Sequence, residues 1–185
     1  MGNKFAALTF TDRVKAMQEA QGSRRAYAKG QLGPASNDHL GPDETDFIAA
    51  RDSFYMATIS ETGWPYLQHR GGPPGFVRVV DERTLVFGDV RGNKQFISVG
   101  NLQSNDRVSM IFMDYPNQTR LKVLGRAELI APGDLPASQR PLVNDPRPLE
   151  RYFRVRVEAF DWNCPQGITP RYTAAEIEAI FSSRA

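Results

Sequence analysis

The sequence predicts an α+β domain built around an antiparallel β-barrel of six to seven strands with flanking helices. Three observations predict it. From Phe54 onward the apolar residues recur with period two or run continuously, the spacing of strands. Short turns such as Glu61-Thr62-Gly63 and Asp81-Glu82-Arg83 join these runs, too brief for the crossover that a parallel pair needs. A single helical stretch interrupts them, so strand and helix do not alternate as in a doubly wound fold.

The 185 residues suffice for one domain with a sizeable core. Their 41% hydrophobic and 24% charged content is that of a soluble globular protein. A net charge of +2, with basic residues interleaved among acids, gives no electrostatic case for nucleic acid. The only cysteine, Cys164, rules out an internal disulfide and fits a reducing compartment. The first eleven residues hold no apolar signal region, and no apolar run approaches the ~18 residues of a membrane span. The expectation is a cytoplasmic protein with no membrane partner.

Two parts follow from the chain order: an N-terminal helix and connector over 1–42, and the barrel domain over 43–185. Thr11-Asp12 opens a helix with Val14, Met17, Ala20 and Tyr27 on a thin apolar face, ending between Gly30 and Pro34. Pro42-Asp43-Glu44 opens a second, through Arg51, that buries Phe47, Ile48 and Ala50. Strands follow at Phe54–Ser60, Trp64–His69, Phe76–Val80 and Thr84–Phe87. Asn93–Leu102 reads as a helix capped by Asn93 and lined by Phe96, Ile97 and Leu102. Arg107–Met113 is apolar on both sides, hence a central strand. In Arg120–Ile130 the residues Leu121, Val123, Ala127 and Leu129 share one face. In Arg151–Ala159 the inward row is Phe153, Val155, Val157 and Ala159, with Tyr152 pointing out. A Pro-rich connector, with a short helix after Gly133, separates these two strands, and Thr173 caps a last helix whose apolar side is Ile177 and Ile180.

The chemistry concentrates between Gly63 and Gln95, where glycine and proline crowd around basic and amide side chains. Gly88-Asp-Val-Arg-Gly-Asn-Lys-Gln departs from the Walker spacing but retains a glycine-containing loop that enters a helix, a place where free amides and the helix dipole favour an anion. The alternative is a capped helix beside a solvated lysine. His69-Arg70 ends a strand just before Gly71-Gly72, and an arginine fork there can hold two phosphate oxygens or make a surface ion pair. No histidine, cysteine and carboxylate spacing matches a zinc site, and no metal is expected. Cys164 has no CxxC partner and reads as a buried structural thiol, its reactivity left open. No nucleophile elbow or triad is visible, so the catalytic residues are unknown.

Met56-Ala-Thr-Ile-Ser-Glu-Thr-Gly-Trp-Pro-Tyr, Gln68-His-Arg, Leu85-Val-Phe-Gly-Asp, Gly92-Asn-Lys and Asn105-Asp-Arg-Val-Ser-Met-Ile-Phe stand in the order found in one family. The ordered set resembles the pyridoxamine 5′-phosphate oxidase-like, FMN-binding split barrels over roughly Phe47 to Ile130, and again from Phe153 to Arg171. The resemblance implies a split barrel and a homodimer with FMN at the subunit interface. It implies an oxidoreductase acting on a small molecule. Arg70 and Lys94 would anchor the FMN phosphate, with Gln68, His69, Asn93 and Gln95 beside them. The backbone at Phe87 and Gly88 would lie along the cofactor, and Trp162 with Arg171 would shape the ring pocket. Arg120 stands where the family has a glutamine near the flavin ring, and Asn93 where it has an arginine. The Tyr-x-x-x-Arg-x-x-x-Ser substrate-phosphate run of the oxidases proper is absent from Ala131 to Glu150. The competing expectations are a non-catalytic flavin- or haem-binding module, with His69 as the axial ligand of a haem, and a deazaflavin-dependent reductase.

Overall fold

The computed structural model describes residues 2–143, 145–163 and 165–182. Cys164 lies outside them. Seven strands form one antiparallel sheet: β1 (Ser53–Ile59), β2 (Pro65–Gly71), β3 (Val77–Asp81), β4 (Thr84–Val90), β5 (Arg107–Asp114), β6 (Thr119–Ile130) and β7 (Leu149–Asn163). Their order is β2-β1-β5-β6-β7-β4-β3, so β2 and β3 are the two edges and the barrel does not close. The α+β expectation holds, with the strand count at the upper end.

The sheet curls because its apolar rows need one another. Phe54 on β1 meets Phe87 on β4 at 5.0 Å and Phe112 on β5 at 5.0 Å, while Phe87 stacks on Phe153 of β7. These rings, with Met56, Leu85, Met110, Leu121, Val123 and Val155, are buried and form the core. Each such side chain contributes about 1.5–3 kcal/mol on burial. The ladder from β6 to β7 slips by one residue at Leu124/Gly125. A β-carbon on Gly125 would lie 2.7 Å from the Arg156 carbonyl oxygen, so only glycine fits this bulge.

Several expectations need correction. The helix expected from Thr11 to the Gly30–Pro34 stretch is two, α2 (Asp12–Ala20) and α3 (Arg24–Gly30), and an unexpected α1 (Lys4–Thr9) precedes them. Gly22, at φ +73°, turns the chain between α2 and α3. α1 buries Ala6 and sets Phe5 under Lys122 of β6, whereas α2 and α3 bury nothing. α4 (Pro42–Ala49) buries Ile48 and Glu44, while Ala50 is exposed. β5 lies between two partner strands as expected, but its sides alternate in burial instead of both being apolar. Tyr152 is buried against Val86 and Leu135, since a β7 side chain outside the main core still meets the 131–148 connector. α6 (Ala174–Ser182) is capped at Thr173, which exchanges hydrogen bonds with Glu176, yet Ile177 and Ile180 are exposed. Among the described residues no helix is long and apolar enough to cross a membrane.

Candidate functional site

The open seam between β2 and the β3–β4 hairpin is where the predicted basic residues gather. Tyr66, Gln68 and Arg70 alternate along β2 as its half-buried row, so one face of this edge strand points into the seam. Arg70 crosses the gap: its Nη1 donates to Asp89 Oδ1 of β4 at 2.9 Å, and Nη2 to Gln68 Oε1 at 3.4 Å. Its guanidinium lies 4.4 Å from the Phe153 ring centroid and 5.5 Å from that of Phe87, an attraction of about 0.5–2 kcal/mol. The Arg70 side chain is 12% exposed. Its Nε is buried and has no partner among the described residues, and an unmet buried donor costs about 1–3 kcal/mol.

Two clefts meet at this pair. The smaller, about 290 Å³, is bounded by Gln68, Arg70, Asp89, the loop from Gly92 to Phe96 and the helical turn from Ile97 to Val99. This loop carries Asn93, Lys94 and Gln95 and leads into α5 (Ile97–Ser104). α5 starts four residues later than expected and Asn93 does not cap it. Asn93 Oδ1 instead accepts from the Gln95 amide at 3.2 Å, and the N-cap is Phe96, which offers no side-chain acceptor. The first amides of α5 therefore lack a side-chain cap, and they border the cleft. Lys94 and Phe96 both take left-handed backbone angles, φ +59° and +53°. Such a conformation costs a non-glycine residue on the order of 1–2 kcal/mol each, and strain of this kind clusters at ligand sites. Lys94 is exposed and makes no ion pair among the described residues. Of the expected apolar lining, Phe96 and Ile97 are exposed while Leu102, with Val99, packs on the core, and polar contacts add to it: Ser98 Oγ donates to Gln68 Oε1 at 3.0 Å and Asn101 Nδ2 to Thr58 Oγ1 at 2.9 Å.

Asp89 is the residue that sequence reasoning missed. It accepts from Arg70 on one oxygen and faces Arg151 Nε at 3.4 Å on the other. Arg151 in turn pairs with Glu150 and lies over the Phe96 ring at 5.3 Å. The only trace in the sequence was the acid inside the Gly88-to-Gln95 run; the pairing joins strands nineteen positions apart and has no local signal.

The larger cleft, about 540 Å³, lies on the connector side of the same pair and takes in His69, Arg70 and Gly88. The His69 ring itself packs at 5.3 Å against Tyr55, its neighbour across the strands. Phe87 is wholly buried, with its backbone in register with β3 on one side and β7 on the other. Seven predicted residues thus converge on the seam: Gln68, His69, Arg70, Gly88, Asn93, Lys94 and Gln95. Three do not reach it within one chain. Trp162 Nε1 donates to the buried Glu44 at 2.7 Å, and its ring meets Phe47 edge-on. Arg120 is in register with Met113 at the start of β6. Arg171 lies 4.9 Å from the Tyr115 ring centroid. Burial, and then Tyr55, push the Tyr115 hydroxyl above its ordinary pKa, with Arg171 opposing.

The sequence profile of pyridoxamine 5′-phosphate oxidase matches residues 41–161, well over half the chain. The chain belongs to the pyridoxamine 5′-phosphate oxidase family. The fold agrees with that membership. A candidate pyridoxamine 5′-phosphate oxidase of Lactobacillus delbrueckii superposes with a TM-score of 0.52 at 19% identity, covering 67% of this chain and 94% of its own. The HupZ protein of Group A Streptococcus gives 0.50 at 15% identity over 72% of this chain and 99% of its own. At these identities the likeness concerns the fold alone. No curated protein matches the chain. The family match starts at Gly41, so it covers the barrel and omits the three N-terminal helices.

Proposed function

We propose that the protein binds FMN and uses it as an oxidoreductase acting on a small molecule. The observation that carries this reading is the convergence of three anion-seeking features on the smaller cleft. These are the Arg70 side chain, the exposed Lys94, which forms no ion pair among the described residues, and the start of α5, which lacks a side-chain cap. Together they suit a phosphate monoester. Family membership supplies the reason to read that phosphate as a flavin's. When bound, FMN would supply hydride transfer, which the cofactor carries and the protein orients. Arg70, Lys94, Asn93 and Gln95 would bind the phosphate, and Gln68 and Gly88 would border the cofactor.

We further propose that the functional unit is a homodimer with the flavin in a groove between subunits. Arg120, Trp162 and Arg171 lie away from the seam of their own chain, so only a second copy can bring them to the ring. Sedimentation of the flavin-loaded protein tests this: a dimer with one FMN per subunit is expected, while a monomer retaining FMN would refute the shared groove. Anaerobic mixing with a nicotinamide donor tests the redox role. Bleaching of the bound flavin with turnover on re-oxidation is expected, and a flavin that no donor reduces would refute it.

A further inference from the structure

Where the outward rows of β6 and β7 set two charges opposite each other, the signs are complementary, with one exception. Lys122 stands in register with Asp161 and reaches it at 3.0 Å, and Glu128 stands in register with Arg154, whose Nε reaches it at 2.7 Å. Between these pairs the slip at Leu124/Gly125 leaves Glu158 as the extra residue of β7 and sets Arg126 directly opposite Arg156. On its other side Arg126 is in register with Arg107 of β5. Three arginines thus form a row across three adjacent strands, about 10 Å from end to end at the usual strand spacing.

Like charges directly opposite one another destabilise a sheet. Only the middle arginine is neutralised: Arg126 Nη1 donates to Asp106 at 2.7 Å, and its Nε faces Glu158 at 3.4 Å. Arg107 and Arg156 are exposed and make no ion pair among the described residues. Without the slip Arg126 would stand opposite Val157, so the bulge that only Gly125 fits is what enforces the repulsion. Beside the row opens a cavity of about 550 Å³, walled by Arg126 and Arg156 together with Leu102 of α5 and Leu129 of β6. Its two carboxylates are engaged, Asp106 by Arg126 and Glu128 by Arg154. The rim is tied down by the Ala127 amide, which donates to the Asp106 carbonyl at 2.7 Å.

The geometry points to an anion site on this row, taking the oxygens of a diphosphate, with Arg107 and Arg156 closing on it from either side of Arg126. A bound polyvalent oxyanion turns the repulsion within the row into shared attraction, and guanidinium forks match its oxygens in pairs. The diphosphate is either inorganic or that of a nucleotide, whose organic body would lie in the cavity against Leu102 and Leu129. The cavity falls within the size range of small-molecule sites. None of the three arginines lines either cleft of the seam, so the site does not rest on the flavin reading.

Calorimetry with pyrophosphate, ADP and adenosine, run in saturating FMN so that the phosphate site proposed at Lys94 is filled, tests the site. Wild type is expected to bind pyrophosphate, and Arg107→Thr and Arg156→Thr each to weaken that binding about tenfold. Arg13→Gln, which takes the same charge from α2, should leave it unchanged. ADP binding more tightly than pyrophosphate would assign the cavity to the nucleoside, and equal affinities would assign the site to the diphosphate alone. Without ligand, both threonine variants should melt at the wild-type temperature or above it, because each removes a like-charged neighbour of Arg126 and threonine suits a strand. No pyrophosphate binding, an affinity that both variants retain, or a loss that Arg13→Gln reproduces would overturn the site. So would adenosine binding as tightly as ADP. A protein that takes up no FMN but loses pyrophosphate in both variants would refute the flavin reading and leave this site standing. One that binds FMN but not pyrophosphate would do the reverse.

Discussion

Replacing Lys94 with glycine should move stability and flavin binding in opposite directions. Lys94 is exposed, forms no ion pair among the described residues and sits at φ +59°. Glycine relieves left-handed strain of about 1–2 kcal/mol. It also gives back about 0.4–1 kcal/mol through a freer unfolded chain. The apo-protein should therefore melt at the wild-type temperature or slightly above it. Binding should change the other way. A charge-assisted hydrogen bond to phosphate contributes about 1.5–3 kcal/mol, so FMN affinity should fall roughly 10- to 150-fold. Titration of apo-protein with FMN and with riboflavin, followed by quenching of flavin fluorescence, isolates the phosphate. Wild type should prefer FMN strongly, and Lys94→Gly should lose most of that preference. An unchanged FMN-to-riboflavin ratio would refute the assignment of Lys94, as would a lower melting temperature with FMN affinity intact.

Arg70→Met should act on both properties. It removes one partner of a mostly buried pair, but Asp89 retains Arg151, so a loss of about 1–3 kcal/mol in denaturant unfolding is expected, together with loss of FMN. Gly125→Ala forces a β-carbon against the Arg156 carbonyl and should destabilise by about 1–3 kcal/mol without altering the FMN-to-riboflavin ratio. Trp162→Phe strips the buried Glu44 of one donor while the Gly41 amide remains, and should cost about 1–2 kcal/mol in thermal unfolding. Asp145 has a folded pKa below its unfolded value, so its pairing with Arg147 stabilises above the ordinary aspartate pKa and is lost as pH falls through the lower, folded one. Protection of the 131–148 connector from hydrogen exchange, taken relative to the unstructured rate at the same pH, should accordingly fall at strongly acidic pH in wild type, and Asp145→Asn should show the lower protection at neutral pH as well.

The strands were legible because a half-buried strand writes its pattern locally: β6 and β7 alternate as their sequences do. Which strands face each other across the seam was not, since the contact of Arg70 with Asp89 depends on how far the sheet curls. The basic loop was readable as an anion site, yet its backbone was not. Lys94 and Phe96 enter the left-handed region with no glycine to announce it, which displaced the start of α5 and removed Asn93 as its cap. Gly22, by contrast, stood openly within a helical pattern and still broke it, because helices with so thin an apolar stripe have little packing to override a local breaker. Arg140 gave no signal at all. Its guanidinium is held by carbonyls of its own Pro-rich connector, a contact with no pattern in the sequence.

Purifying the protein, recording its absorption spectrum and weighing whatever small molecule heat releases tests the flavin reading most directly. A flavin spectrum with the mass of FMN is the expected result. A Soret band, a deazaflavin mass, or a colourless protein that takes up no added FMN would contradict it.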